Sequence, residues 1–140
     1  MKRSTAPLLF VAATSVLAFW TGCATKPVTH TATAAGNGST VKLTTGDFLQ
    51  VQLEANPSTG FSWQTLEINS WVLARTERPD FKPTEATTAD GNPRVGSGGI
   101  LTLDFRAVGP GTAPLKLAYF QPWESNVPPA QTFELTVDVE

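Results

Sequence analysis

Four stretches of this chain alternate apolar and polar residues with a period of two, and that pattern decides most of what the rest can be. In residues 48–55, Leu49, Val51, Leu53 and Ala55 alternate with Gln50, Gln52 and Glu54. In residues 100–108, Leu101, Leu103, Phe105 and Ala107 alternate with Thr102, Asp104 and Arg106. Ala113, Leu115, Leu117 and Tyr119 mark a third stretch, and Phe133, Leu135, Val137 and Val139 a fourth, alternating with Thr132, Glu134, Thr136 and Asp138. Successive side chains of a strand point to opposite faces, so these segments read as strands with one face on a core and the other in water. Gly109-Pro110-Gly111 joins the second to the third as a hairpin turn would. Residues 61–66 and 71–76 give weaker strand signals on either side of a turn at Glu67-Ile68-Asn69-Ser70. Residues 80–94, rich in Pro, Thr and Ala, read as an extended excursion with room for one edge strand. Eleven Gly and eleven Pro in 140 residues supply turns at a density that suits β structure better than a helical bundle. The expected fold is all-β, an antiparallel β-sandwich of about seven short strands.

Ahead of these strands the chain changes character twice. Lys2 and Arg3 precede an apolar stretch, residues 7–20, that is short for a membrane span. Trp20-Thr21-Gly22-Cys23 follows and resembles the lipobox of bacterial lipoproteins, in which cleavage occurs before a cysteine that carries a diacylglyceryl group. Trp20 stands where an aliphatic residue is usual, and the alternative is an ordinary secretory signal with a leftover cysteine. Residues 24–39 are mostly Thr, Ala, Gly, Asn and Pro without apolar period, and read as a flexible tether holding the lone His30 free of partners. The expected organisation is therefore a signal peptide over 1–22, a lipidated Cys23 with tether over 23–39, and one folded domain over 40–140. A lipoprotein signal implies the bacterial cell envelope. Ala24 after the cysteine, in place of Asp, resembles proteins sent to the outer membrane, facing the periplasm.

Composition and residue types exclude several classes of function. Lys2 and Arg3 lie in the leader, so 8 of the 10 basic residues remain against 12 acidic ones, a charge of about −4. With no basic stripe, nucleic acid is not an expected partner. The folded domain has no histidine and no cysteine, which removes Ser-His and Cys-His catalysis and any disulfide. Asp104, Glu134 and Asp138 fall on strand faces expected to meet solvent, and neither a metal nor a cofactor is expected. An enzyme is not expected.

Three loops stand out instead. Asn56-Pro57-Ser58-Thr59-Gly60 leads into Phe61; Asn and Pro open a turn and Gly60 permits positive φ, giving a short stiff protrusion with two hydroxyls at its tip. The proline after Asn56 removes it as a glycosylation acceptor. Gly96-Ser97-Gly98-Gly99 precedes the strand at Ile100, where glycines let another backbone approach closely or merely make a mobile turn. Gln121-Pro122-Trp123 follows a strand end, and its tryptophan either anchors a partner or folds back onto the core.

In this order, on this alternating framework, the three segments resemble the chagasin family of cysteine protease inhibitors. That family is marked by Asn-Pro-Thr-Thr-Gly-Phe, Gly-x-Gly-Gly and Arg-Pro-Trp segments. Ser58 stands for a threonine and Gln121 for the arginine, which removes a charge and a bidentate donor. The likeness runs over about residues 41–140 and takes in Leu117-Ala118-Tyr119. The resemblance implies an immunoglobulin-like sandwich of about 7–8 strands with the three loops side by side at one end. They would enter the cleft of a papain-like cysteine protease as a wedge. Residues 56–60 would cover the catalytic cysteine, the glycine loop would follow the non-primed side, and Trp123 would pack on the other. The expected protein is a monomeric, reversible inhibitor. The rival readings are a non-inhibitory envelope binding module on the same fold and, third, an envelope hydrolase, for which no catalytic constellation is found.

Overall fold

The computed structural model describes residues 26–84, 89–91 and 96–140, so the expected signal peptide and Cys23 lie outside the described residues. Among the described residues nine strands follow one another: β1 Thr29–Thr33, β2 Thr40–Leu43, β3 Phe48–Ala55, β4 Ser62–Glu67, β5 Leu73–Arg75, β6 Asp80–Pro83, β7 Gly99–Ala107, β8 Gly111–Phe120 and β9 Gln131–Val139. They form two sheets. One is ordered β1-β3-β7-β5 with β6 also paired to β7; the other is ordered β2-β9-β8-β4. The all-β sandwich is as expected, and the four alternating stretches become β3, β7, β8 and β9, the strands with the most extensive pairing.

The alternation builds the core directly. Leu49, Val51, Leu53 and Ala55 of β3 meet Leu103, Phe105 and Ala107 of β7 on one wall. Ala113, Leu115, Leu117 and Tyr119 of β8 and Phe133, Leu135, Val137 and Val139 of β9 make the other. Phe105 and Phe133 are among the largest fully buried side chains, and burying one such ring stabilises the fold by roughly 1.5–3 kcal/mol. Thr102, expected in water, is buried; β7 is flanked there by Gln52 of β3 and Asp80 of β6.

Two expectations are corrected. Residues 23–39 are not a tether throughout: Thr29–Thr33 is strand β1, hydrogen-bonded in register along β3 from Thr29↔Phe48 to Thr33↔Gln52. The segment Thr29-His30-Thr31-Ala32-Thr33 buries one side chain, Ala32, so its stability comes from the ladder and from β-branched threonines rather than from apolar area. His30 is not free either: its Nε2 lies 3.6 Å from Asp47 Oδ2. Asp47, itself buried, also accepts the backbone N–H groups of Val28 and Thr44, each at 2.9 Å. Those two hydrogen bonds, first Val28 and then Thr44, with a smaller contribution from His30, hold the Asp47 carboxyl below its usual range.

The second correction is to strand direction. β1 pairs parallel with β3, and β2 parallel with β9, in a sandwich expected to be antiparallel. Parallel neighbours need a crossover, and the chain between β1 and β3 provides one by passing through β2 in the opposite sheet.

The registers also fix where the loops lie. Ala55 pairs with Gly99, Ser62 with Phe120, and Tyr119 with Gln131. The β3–β4 turn, the end of the β6–β7 segment and the β8–β9 connection therefore gather at one pole. Val28, Gly46, Val108 and the C-terminal Glu140 lie at the other, joined by Phe48 N–H to Val28 C=O, Gly46 N–H to Ala107 C=O and Glu140 N–H to Leu43 C=O.

Candidate functional site

The first loop is built on Asn56. Its side chain caps a single 3₁₀ turn, Pro57–Thr59: Oδ1 accepts the Ser58 N–H at 3.2 Å and the Ser58 hydroxyl at 2.6 Å. Proline suits the first position of such a turn because its missing N–H is not needed there. Thr59 Oγ1 donates back to the Asn56 carbonyl at 2.6 Å, and Gly60 closes the turn in the left-handed region at φ +79°. The two hydroxyls expected at the tip are both turned into the loop's own hydrogen bonding. What the tip presents is a compact, uncharged turn on which Pro57, Ser58 and Thr59 are exposed.

Tyr119, read in the sequence as an inward strand residue and as part of the family pattern, supports this loop from below. Its hydroxyl accepts the Asn56 N–H at 2.8 Å, and its ring packs between Phe61 and Trp63 at centroid distances of 5.3 and 5.2 Å. Trp63 in turn donates its indole N–H to the Glu54 carbonyl at 2.9 Å. A tyrosine at the last buried position of a strand, with a hydroxyl that needs a partner, was the available signal. Phe61 belongs to this aromatic cluster and is half-buried.

The other two loops are tied to the first. Asn56 Nδ2 donates to the Gly96 carbonyl at 3.1 Å, and the Ser58 hydroxyl lies 3.5 Å from the same oxygen. Gly96, at φ +86°, is exposed; Ser97 and Gly98 are half-buried, and the Gly98 carbonyl accepts the Thr84 N–H at 3.0 Å. Gly99 is buried inside the sheet, where a Cβ would collide with the Lys82 carbonyl and stand 2.7 Å from Pro83 Cα. Its role is to let β6 lie against β7, and it does not reach the surface. Residues of the first two loops line an open cleft of roughly 570 Å³, among them Asn56, Thr59, Ser97 and Gly98, together with Ala55 and Tyr119.

From the third loop, Gln121 Nε2 donates to the Thr59 carbonyl at 2.9 Å. Trp123 neither folds into the core nor stands alone. It is 67 % exposed, yet its six-membered ring lies so close over Gly60 that a Cβ there would overlap Trp123 Cη2. All three sequence-predicted loops are therefore brought together, with Gly99 and Phe61 acting from inside and Pro122 exposed between Gln121 and Trp123. None of the residues 56–61, 96–99 or 121–123 is charged, and none is a nucleophile poised beside a base. Such a pole can bind by shape and apolar contact.

A two-sheet sandwich that gathers three mutually braced, uncharged loops at one pole defines a rigid binding module. Its family is given by comparison: the sequence model of the chagasin family of peptidase inhibitors, I42, matches residues 42–137, and the chain belongs to that family. It is 29% identical to chagasin of Trypanosoma cruzi over 100 residues, covering 69% of this chain and 84% of that protein. Amoebiasin-2 of Entamoeba histolytica is 26% identical over 110 residues, 77% of this chain and 83% of its own length. Among solved structures, a cysteine protease inhibitor from Entamoeba histolytica superposes with a TM-score of 0.69 at 23% identity, over 81% of this chain and 96% of that one. Membership places the chain among peptidase inhibitors rather than enzymes.

Proposed function

We propose that this protein is a reversible, tight-binding inhibitor of papain-family cysteine proteases that acts by seating its three-loop pole in the active-site cleft. The observation that carries the reading is the bracing of the pole: Asn56 to Gly96, Gln121 to Thr59 and Trp123 across Gly60 hold the loops in one arrangement before any partner arrives. Loops ordered in advance lose little entropy on docking, so an interface of about 800 Å² per partner supports tight binding. The first loop also explains why it would not be cut. A protease takes its substrate as extended backbone, and Pro57–Thr59 is a closed 3₁₀ turn. Gln121, which replaces the family's arginine, spends its amide on the neighbouring loop and so braces the wedge without a charge.

The reading includes a lipid anchor. The Trp20-Thr21-Gly22-Cys23 sequence supports acylation at Cys23 and a place in the bacterial envelope, at the periplasmic face of the outer membrane, with the inhibitor domain monomeric. The test of inhibition is a titration of papain and a cathepsin-like enzyme with a soluble form spanning residues 24–140. Stoichiometric, reversible loss of activity at nanomolar concentration is expected. No inhibition at micromolar concentration from folded protein would overturn the reading in favour of a non-inhibitory binding module.

A further inference from the structure

The pole opposite the loops carries its own exposed apolar group, and the path of the chain says what covers it. Trp71 is 86% exposed, Val28 54% and Val108 43%. Trp71 and Val108 are neighbours, since Val108 N–H is held by the Val72 C=O, while Val28, whose C=O holds Phe48 N–H, lies at the same pole on the opposite edge of the sheet. The β7–β8 turn closes on the same spot, with a Cβ at Gly109 falling 2.6 Å from the Trp71 carbonyl. Trp71 does not hang from a loose loop. Asn69 Oδ1 accepts its N–H at 3.1 Å, and the Asn69 carbonyl accepts Val72 and Leu73 at 3.0 and 2.8 Å, so the turn thrusts the indole outward.

A single exposed apolar side chain is ordinary. The position of β1 makes this one different. Because Thr29 is already in the sheet and Val28 is already tied to Asp47, only residues 24–28 separate Cys23 from the fold. Five residues span at most about 17 Å when fully extended. The described chain begins at the β1 edge of this same pole, remote from residues 56–61. An acylated Cys23 would therefore draw this pole, rather than the three-loop pole, to the lipid surface.

We infer that the Trp71–Val28–Val108 pole seats in the headgroup region of the membrane that holds the lipid anchor, so that the inhibitory pole faces away from it. The inference rests on the lipid-anchor reading of Cys23. Tryptophan is the side chain best suited to that interface, with an apolar ring and an N–H for the wet side. The net charge of about −4 after removal of the leader, and the C-terminal Glu140 at this same pole, give no attraction to anionic lipid. Seating thus depends on the acyl anchor and the indole and proceeds on neutral phospholipid. The eight residues of β3 then lift the loops about 27 Å above the docking pole.

The lipid-modified chain, purified from producing cells and reconstituted in phosphatidylcholine vesicles with brominated acyl chains, tests this through tryptophan emission. Cleavage before Cys23 removes Trp20 and leaves Trp63, Trp71 and Trp123. We expect part of the emission to be quenched by the brominated lipid, and Trp71→Phe to remove that quenchable part. Papain should titrate the vesicle-bound chain to the same end point as the chain in detergent. If wild type and Trp71→Phe respond identically to brominated lipid while mass spectrometry finds the acyl groups on Cys23, the docking inference falls and the anchor stands. Absence of acyl groups on Cys23 overturns the anchor, and the inference with it. Full titration by papain in detergent but not on vesicles would overturn the orientation. A dimer of the soluble form that dissociates in Trp71→Ala would assign the surface to a second copy of the chain and overturn the lipid as occupant.

Discussion

Gln121 and Trp123 both reach back across the three-loop pole, one to the Thr59 carbonyl and the other over Gly60. Truncating Trp123 to alanine removes an exposed anchor and leaves the core intact. Inhibition of papain should weaken by about 2 kcal/mol or more, roughly 30-fold in the inhibition constant, with the unfolding temperature unchanged. Gly60→Ala acts on the same contact from the other side. The φ of +79° costs an alanine about 1 kcal/mol, and the new methyl must push the indole away. That variant should therefore lose both stability and affinity, read by thermal melt and by papain titration, where Trp123→Ala loses affinity alone. Thr59 is exposed at the tip. Thr59→Arg places a long charged side chain where the cleft closes, and should abolish inhibition at micromolar concentration with an unchanged circular dichroism spectrum.

Strand β1 shows how an element can be real and yet nearly silent in sequence. The four long strands announce themselves because each alternates three or more large apolar residues with polar ones. β1 offers Ala32 alone, and β5 and β6 are only three and four residues long. β5 and β6 fall within the weaker signals at 71–76 and 80–94, whereas β1 depends on an open ladder on β3, a non-local fact that no window of local sequence contains. The same is true of the parallel pairings. Asp47 is the point on which the start of β1 depends, since it holds the N–H of Val28 together with that of Thr44. Its carboxyl is held below the usual range in the folded state, so its contribution to stability is present above the unfolded carboxylate range near pH 4 and is lost as pH falls through the lower folded value. Thermal melts between pH 7 and pH 2 should show this acid-side loss, and Asp47→Asn should flatten it. Hydrogen exchange at Thr29–Thr33 should speed up in that variant before the amides of β8 and β9 respond.

Taken whole, the molecule has two distinct poles, and the sequence pointed to only one of them. The three loops were legible as unusual composition at suitable spacing, and the sheet registers then brought them together. What stayed hidden was their dependence on Tyr119 and on one another, because a hydrogen bond such as Gln121 to Thr59 spans 62 positions and has no local signature. The uncharged character of the loops carries a kinetic prediction. Salt acts on charges at the rim and on long-range steering, so raising ionic strength should alter association with papain and leave the dissociation rate within about twofold, as stopped-flow or surface-binding kinetics would show. The bracing has a further consequence for descent with modification. Asn56, Thr59, Gly60, Gln121 and Trp123 are each other's supports, so a lineage adapting to a new protease cannot alter one of them without disturbing another. Change in target should arrive as matched sets of substitutions across the three loops, and a single loop transplanted from a relative should arrive without its footing.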